Sequence, residues 1–198
     1  MKPLETAAAA AVSAIPPANA AAPVRHPNAP EPGTEIGAHY SYCFICGSQH
    51  PGGLHLQMVA AEGVAVTARF EATAAHQGGP GLLHGGLLAG AFDEVFGAVN
   101  WLLRAPAVTG RMETDYLKPI PIGSMVHITA RCVALAGRKV YLQAEAWIGG
   151  PAGELAAQAA ALFVQIKLDQ FLTRNQPEGI STRLTDPDQY RLLSAFEV

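Results

Sequence analysis

The chain has no uninterrupted apolar run of about 18 residues, so its sequence predicts no membrane span. It has no basic cluster and a formal net charge of −3, which argues against a nucleic-acid partner. Cysteine is scarce. Cys43, Cys46 and Cys132 are an odd set that does not make a disulfide framework, and a reducing, cytoplasmic compartment is the simpler expectation. The length, 198 residues, suits one domain plus tails.

Residues 1–41 read as an N-terminal tail. Ala and Pro dominate from Ala7 to Pro32 and offer little to build a core. Ala18-Asn19-Ala20 imitates a signal-peptidase site, but Glu5 and the lack of a Leu/Val/Phe core argue against a signal peptide. The main domain is expected over residues 42–169, and residues 170–198 form a polar, irregular extension with a short helix at Asp188–Ala195.

Tyr42-Cys43-Phe44-Ile45-Cys46-Gly47 holds a Cys-x-x-Cys pair, half of a zinc site. A second pair is missing, although His50 and His55 lie nearby. A redox pair would sit at a strand-to-helix junction, whereas Gly47, Pro51, Gly52 and Gly53 make loop here. The preferred expectation is packing or loop anchoring, with no metal.

Strand signals follow. Leu54–Ala60 and Val64–Phe70 alternate around a Glu62-Gly63 turn. The Gly-rich loop His76–Leu83 feeds a long apolar stretch, and Ala107–Leu117, Ser124–Ala136, Val140–Ile148 and Glu154–Leu168 are extended. The order is two strands, one long helix, then four strands. That order implies an α+β fold, an antiparallel sheet of five to six strands wrapped around one central helix.

The helix, Leu83–Arg104, organises the rest, and Pro106 blocks its continuation. Leu88, Ala91, Val95, Val99 and Leu102 fall on one side at helical spacing. Gly86, Gly90, Asp93, Gly97 and Asn100 fall on the other. Each glycine costs roughly 1 kcal/mol of helix propensity relative to Ala. A helix that accepts this cost is covered there by another backbone, a ligand or a second subunit, so at least a dimer is expected.

His84-Gly85-Gly86, with Asp93 nine residues after His84 and then Gly97, resembles the phenylacetate-type (PaaI-like) acyl-CoA thioesterases of the hotdog fold. His76-Gln77-Gly78, Cys43–Gly47 and Tyr116-Leu117-Lys118-Pro119 resemble that superfamily as well, over roughly Tyr42 to Leu168. Several members carry an Asn in the loop before His-Gly-Gly, where this chain has Gly78 with Gln77 adjacent. The resemblance implies a hotdog fold and thioester hydrolysis, with coenzyme A entering only as part of the substrate. It also implies a homodimer or dimer of dimers with its site at the subunit interface.

The residue types suit that chemistry. Asp93 is the carboxylate on the small stripe and serves as general base or nucleophile; Glu94, about 100° around the helix, ranks second. The Gly85 and Gly86 N–H groups open the helix, where its dipole favours negative charge, and would polarise the carbonyl. His84 caps or acts directly, and Gln77 positions a reactant or serves only the loop. Thr109 resembles a Thr that acts from the other subunit in some members. Asn100 is a structural position or a substrate contact, and Arg138 and Lys139 at a hairpin turn meet CoA phosphates or only solvent. The competing class is a non-catalytic dimeric acyl-CoA or lipid-binding protein of the same fold.

Overall fold

The computed structural model describes residues 13–167. The expected C-terminal helix lies outside the described residues. The central helix, α1, runs Gly85–Leu102. Seven strands form one sheet: β1 Glu35–Ile36, β2 Gln57–Ala61, β3 Ala65–Glu71, β4 Ala107–Tyr116, β5 Met125–Ala136, β6 Lys139–Ile148 and β7 Glu154–Gln165. Their spatial order is β1-β2-β3-β5-β6-β7-β4, and every neighbour pairing is antiparallel. The count exceeds the expected five to six because two-residue β1 pairs with β2, Ile36 opposite Met58.

Strand alternation sets the sheet's inner face. Val126, Ile128, Ala130 and Cys132 of β5 are buried every second residue, as are Val66, Ala68 and Phe70 of β3. They pack against Leu88, Ala91, Val95, Val99 and Leu102 of α1, each at most 3% exposed. One helix thus fills the concavity of one twisted sheet. Glu154–Ala161, which is Ala-rich, lies in β7, because nine of the ten β4 residues find register partners along that strand and β6 covers its other edge. Tertiary pairing overrides local helix propensity here.

α1 ends at Leu102, four residues before the proline. Ala105 N–H donates to Asn100 O at 3.2 Å and Arg104 N–H to Trp101 O at 3.1 Å, with Arg104 at φ 52°. This is a Schellman closure with Arg where Gly is usual.

The described part of the expected N-terminal tail, from residue 13, is not free. Ala29 and Ile36 join the main core. Ala21 bridges Leu135 on β5, and Ala20 packs on a small outer cluster of Ala134, Tyr141 and Leu162. The Arg25 guanidinium donates to Ala61 O and Gly63 O, both at 2.6 Å, and also to Pro30 O. Low hydrophobicity hid this, because the segment docks through backbone carbonyls and small alanines rather than through large apolar side chains. No helix among the described residues is long and apolar enough to cross a membrane.

Candidate active site

The small-residue stripe of α1 is covered by three different things. A Cβ at Gly90 would stand 3.0 Å from Ile45 Cδ1, so the Cys43–Gly47 loop packs there. A Cβ at Gly86 would meet the His84 ring at 3.1 Å. At Gly97 a Cβ would meet nothing within 4 Å, because Gly97 lines a cavity of about 480 Å³.

Asp93 and Asn100 line that cavity with Gly97, and Thr109 on β4 completes the wall. Thr109 Oγ1 donates to Asp93 Oδ1 at 2.5 Å. A β-bulge between Thr109 and Arg111 shifts the β4–β7 register there, and bulges re-aim side chains in this way. The contact is made within one chain, whereas the resemblance pointed to a Thr from the other subunit. Asn100 is 1% exposed. Its Nδ2 donates to Phe96 O at 2.9 Å, while its Oδ1 has no partner among the described residues. It therefore serves its own helix and leaves an acceptor at the cavity wall. The remaining wall is mainly apolar, including Met58, Trp101, Val108 and Phe163.

The start of α1 borders a second cavity, about 190 Å³, with Gly85, Leu88 and Tyr116 in its wall. Tyr116 Oη donates to Gly85 O at 2.9 Å. His84 is the N-cap, and its Nδ1 accepts from Gly86 N–H at 2.9 Å. That bond occupies the Gly86 donor, so Gly86 is removed from the expected carbonyl-polarising pair. Gly85 N–H has no hydrogen-bond partner among the described residues. Eight residues separate Gly85 from Asp93, which at 1.5 Å per residue is ~12 Å along the helix. Within one chain these groups cannot meet on one carbonyl.

The other expected residues sit apart. Gln77 Oε1 accepts from Gly81 N–H at 2.8 Å, bracing its own loop. A Cβ at the neighbouring Gly78 would lie 2.8 Å from His84 Cα, so a larger residue does not fit there. Arg138 and Lys139 are exposed at the β5–β6 turn, with Arg138 donating to Gln165 O at 3.4 Å. Gln165 pairs with Ala107, which lines the Asp93 cavity.

Sequence reasoning missed one grouping. His39, Cys43, Cys46 and Glu94 converge, their ligand-type atoms all within 4.8 Å of one another. Glu94, ranked second as base, lines the same cavity as Asp93 and is engaged by this group, its Oε1 2.9 Å from His39 Nδ1. His39 is pushed up to about 10, first by its hydrogen bond with Cys43 and then by Glu94. Cys43 is pulled well below the usual thiol range, chiefly by the Cys46 hydrogen bond, and Cys46 is pushed up by the same bond and by burial. The histidines near the pair in sequence take no part. His55 Nδ1 bonds Gly47 O at 2.9 Å, and His50 packs edge-on against Phe44. The signal was upstream, in the spacing His39-x3-Cys43-x2-Cys46.

A family model described as "Thioesterase superfamily" matches residues 80–154, from the loop before α1 to the start of β7. That stretch is similar to the thioesterase superfamily. The chain's architecture is PaaI-like. A mutant of the phenylacetic acid degradation protein PaaI from Thermus thermophilus superposes with TM-score 0.52 at 26% identity, over 57% of this chain and 95% of that one. A Streptococcus mutans protein bound to acetyl CoA superposes with TM-score 0.52 at 23% identity, over 55% of this chain and 86% of that one. Acyl-coenzyme A thioesterase THEM4 of Xenopus laevis is 32% identical over 90 residues, 46% of this chain and 40% of the relative. The chain thus spans about two fifths or less of the curated relatives it matches. In this hotdog architecture the sheet wraps the helix that carries Asp93.

Proposed function

We propose that the protein is an acyl-CoA thioesterase, hydrolysing a CoA thioester to the free acid and CoA. The observation that carries this reading is Asp93, a carboxylate held by Thr109 at 2.5 Å on the wall of a cavity of about 480 Å³. Asp93 acts as general base on water or as nucleophile on the carbonyl carbon. Either attack drives negative charge onto the carbonyl oxygen, and Gly85 N–H at the helix start is the donor left to receive it. The tetrahedral species then collapses with loss of the CoA thiolate, giving the free acid directly when water attacks, or an Asp93 acyl anhydride that a water molecule then hydrolyses to the free acid when Asp93 attacks. The THEM4 relatives are named acyl-coenzyme A thioesterases, and the same fold accompanies acetyl CoA in the Streptococcus mutans protein.

The ~12 Å between Asp93 and Gly85 along α1 makes a single chain insufficient, and β4 suggests the remedy. β4 is the last strand of the sheet, so its outer edge offers unpaired backbone groups to another strand. Thr109, near one end, touches Asp93, and Tyr116, at the other, touches Gly85. Antiparallel two-fold pairing of β4 with its copy, centred near Met112 and Glu113, sets the Thr109 end of one protomer beside the Tyr116 end of the other. Asp93 of one copy then faces Gly85 of the next. We read the enzyme as a homodimer, or a dimer of dimers, with two such interfacial sites.

The apolar wall suits an acyl or aryl group. Asn100 Oδ1, which has no partner among the described residues, would accept a hydrogen bond from substrate or water. Arg138 and Lys139, beside the strand end that borders the cavity, would meet CoA phosphates. Release of free thiol from a panel of short-chain, medium-chain and aromatic acyl-CoAs tests the proposal. Turnover of at least one, lowered about 100-fold or more in Asp93→Ala, is the expected result. Tight binding across the panel without turnover would replace the enzyme by a non-catalytic acyl-CoA-binding protein.

A further inference from the structure

His39 and Glu94 of the His39, Cys43, Cys46 and Glu94 group line the same cavity as Asp93, and the mechanism proposed above uses none of the four. The cluster is the one group of its kind among the described residues. Cys46 Sγ is 3.3 Å from His39 Nδ1, Cys43 Sγ is 3.7 Å from Glu94 Oε2, and His39 Nδ1 is 2.9 Å from Glu94 Oε1. Zinc bonds to S, N and O run about 2.0–2.3 Å, so the edges of a zinc tetrahedron are roughly 3.3–3.8 Å. The His39–Cys46 and Cys43–Glu94 Oε2 spacings fall on those edges, the 2.9 Å contact to His39 is made by the other Glu94 oxygen, Oε1, and one ligand atom from each of the four residues lies within 4.8 Å of the others.

The surroundings are built to hold these atoms. Ile45 N–H points at Cys43 Sγ at 3.4 Å, the kind of backbone contact that steadies a coordinating thiolate. Gly47 closes the turn so tightly that a Cβ would lie 2.4 Å from Ser41 O and 2.5 Å from Cys43 N. Cys46 is 6% exposed and the Glu94 side chain 14%. Two thiolates and a carboxylate would bring three negative charges to this half-buried spot, and a divalent cation offsets two of them. Two sulfurs and an imidazole favour zinc over magnesium or calcium, which prefer oxygen.

We propose that His39 Nδ1, Cys43 Sγ, Cys46 Sγ and one Glu94 carboxylate oxygen form a structural zinc site that fastens the 39–47 loop to α1 one residue beyond Asp93. Four protein ligands close the coordination sphere, so the ion has a structural role rather than a catalytic one. The site also explains the placement of Glu94. Ligation would keep this second carboxylate off any substrate and leave Asp93 as the free acid group on that stretch of helix.

The test uses the full chain, purified under reducing conditions without chelator. Elemental analysis is expected to give about one zinc per chain. Replacing the zinc by Co²⁺ should give thiolate-to-cobalt charge-transfer absorption and the intense visible bands of a tetrahedral ion. The double variant Cys43→Ser/Cys46→Ser should lose the metal, while Cys132→Ser keeps it. Should the double variant fail to fold, the cobalt spectrum of the wild-type chain still decides. Less than about a tenth of an equivalent of metal, before and after zinc reconstitution, overturns the site. So does zinc retained by the double variant, or a Cys43–Cys46 disulfide whose reduction confers no cobalt uptake. None of these readouts depends on thioesterase activity.

Discussion

Thr109 Oγ1 and Asp93 Oδ1 lie 2.5 Å apart, joining the edge strand β4 to the middle of α1. The bond uses one carboxylate oxygen of Asp93, a residue that lines the cavity. A hydrogen bond to a charged group contributes about 1.5–3 kcal/mol, and each 1.36 kcal/mol corresponds to about tenfold in rate. Thr109→Val should therefore lower kcat roughly 10- to 100-fold with little change in KM. Asp93→Ala should lower it about 100-fold or more. Steady-state thiol release measures both, and a Thr109→Val enzyme with wild-type kcat would strip Thr109 of its positioning role.

Gly85→Pro isolates the proposed carbonyl donor. Gly85 is the first residue of α1, where proline is favoured and the N–H lacks an intrahelical partner. His84, at φ −66° and ψ 124°, already has the extended backbone that a following proline demands. The helix should survive while the N–H disappears, with a loss in kcat of about 100- to 1,000-fold, as for other oxyanion donors.

Mixing that variant with Asp93→Ala tests the interface. Each homodimer would be inactive. A mixed dimer would contain one intact site, with Asp93 from one copy and Gly85 from the other. Random reassociation of equal amounts should restore about a quarter of wild-type activity. No recovery after verified exchange of subunits would refute the shared site.

Much of this was legible in the sequence, and the failures share a cause. Period-two alternation located β3 and β5, and the apolar stripe located α1 to within two residues at either end, because both patterns are local. What escaped depends on pairs far apart in the chain. His39 meets Glu94 across 55 residues, and Arg25 meets the β2–β3 turn across 36 and 38 residues. No periodicity encodes such contacts. Gly86 is instructive in another way. Its glycine invited an oxyanion role, but the donor is taken by the ring two residues before it, a local capping preference that outweighs the functional analogy.

The Arg25 contacts give a stability prediction. Its guanidinium gathers three carbonyls, of Pro30, Ala61 and Gly63, and pins the N-terminal segment to the β2–β3 turn. Arg25→Ala should destabilise the fold by about 1–3 kcal/mol and speed limited proteolysis before residue 35, with the thioesterase kcat little changed. Equal proteolysis rates in the variant and wild type would show that the alanine and proline contacts hold the segment without it.

Gly78 and Gly79 form a matched pair of neighbours. A Cβ at Gly78 would lie 2.8 Å from His84 Cα and 3.0 Å from His84 Cβ, whereas one at Gly79 would meet nothing within 4 Å. The Gly78 clash falls at the root of a side chain, so rotamer change cannot relieve it and the loop must move. His84 is also fastened there, its N–H donating to His76 O at 2.9 Å while its ring caps α1. Gly78→Ala should therefore cost about 1–3 kcal/mol and lower kcat by shifting the start of the helix. Gly79→Ala should stay within about 0.5 kcal/mol of wild type with unchanged kcat. Denaturant midpoints and thiol-release rates for the two variants, measured side by side, separate a tightly fitted loop from one that tolerates either residue.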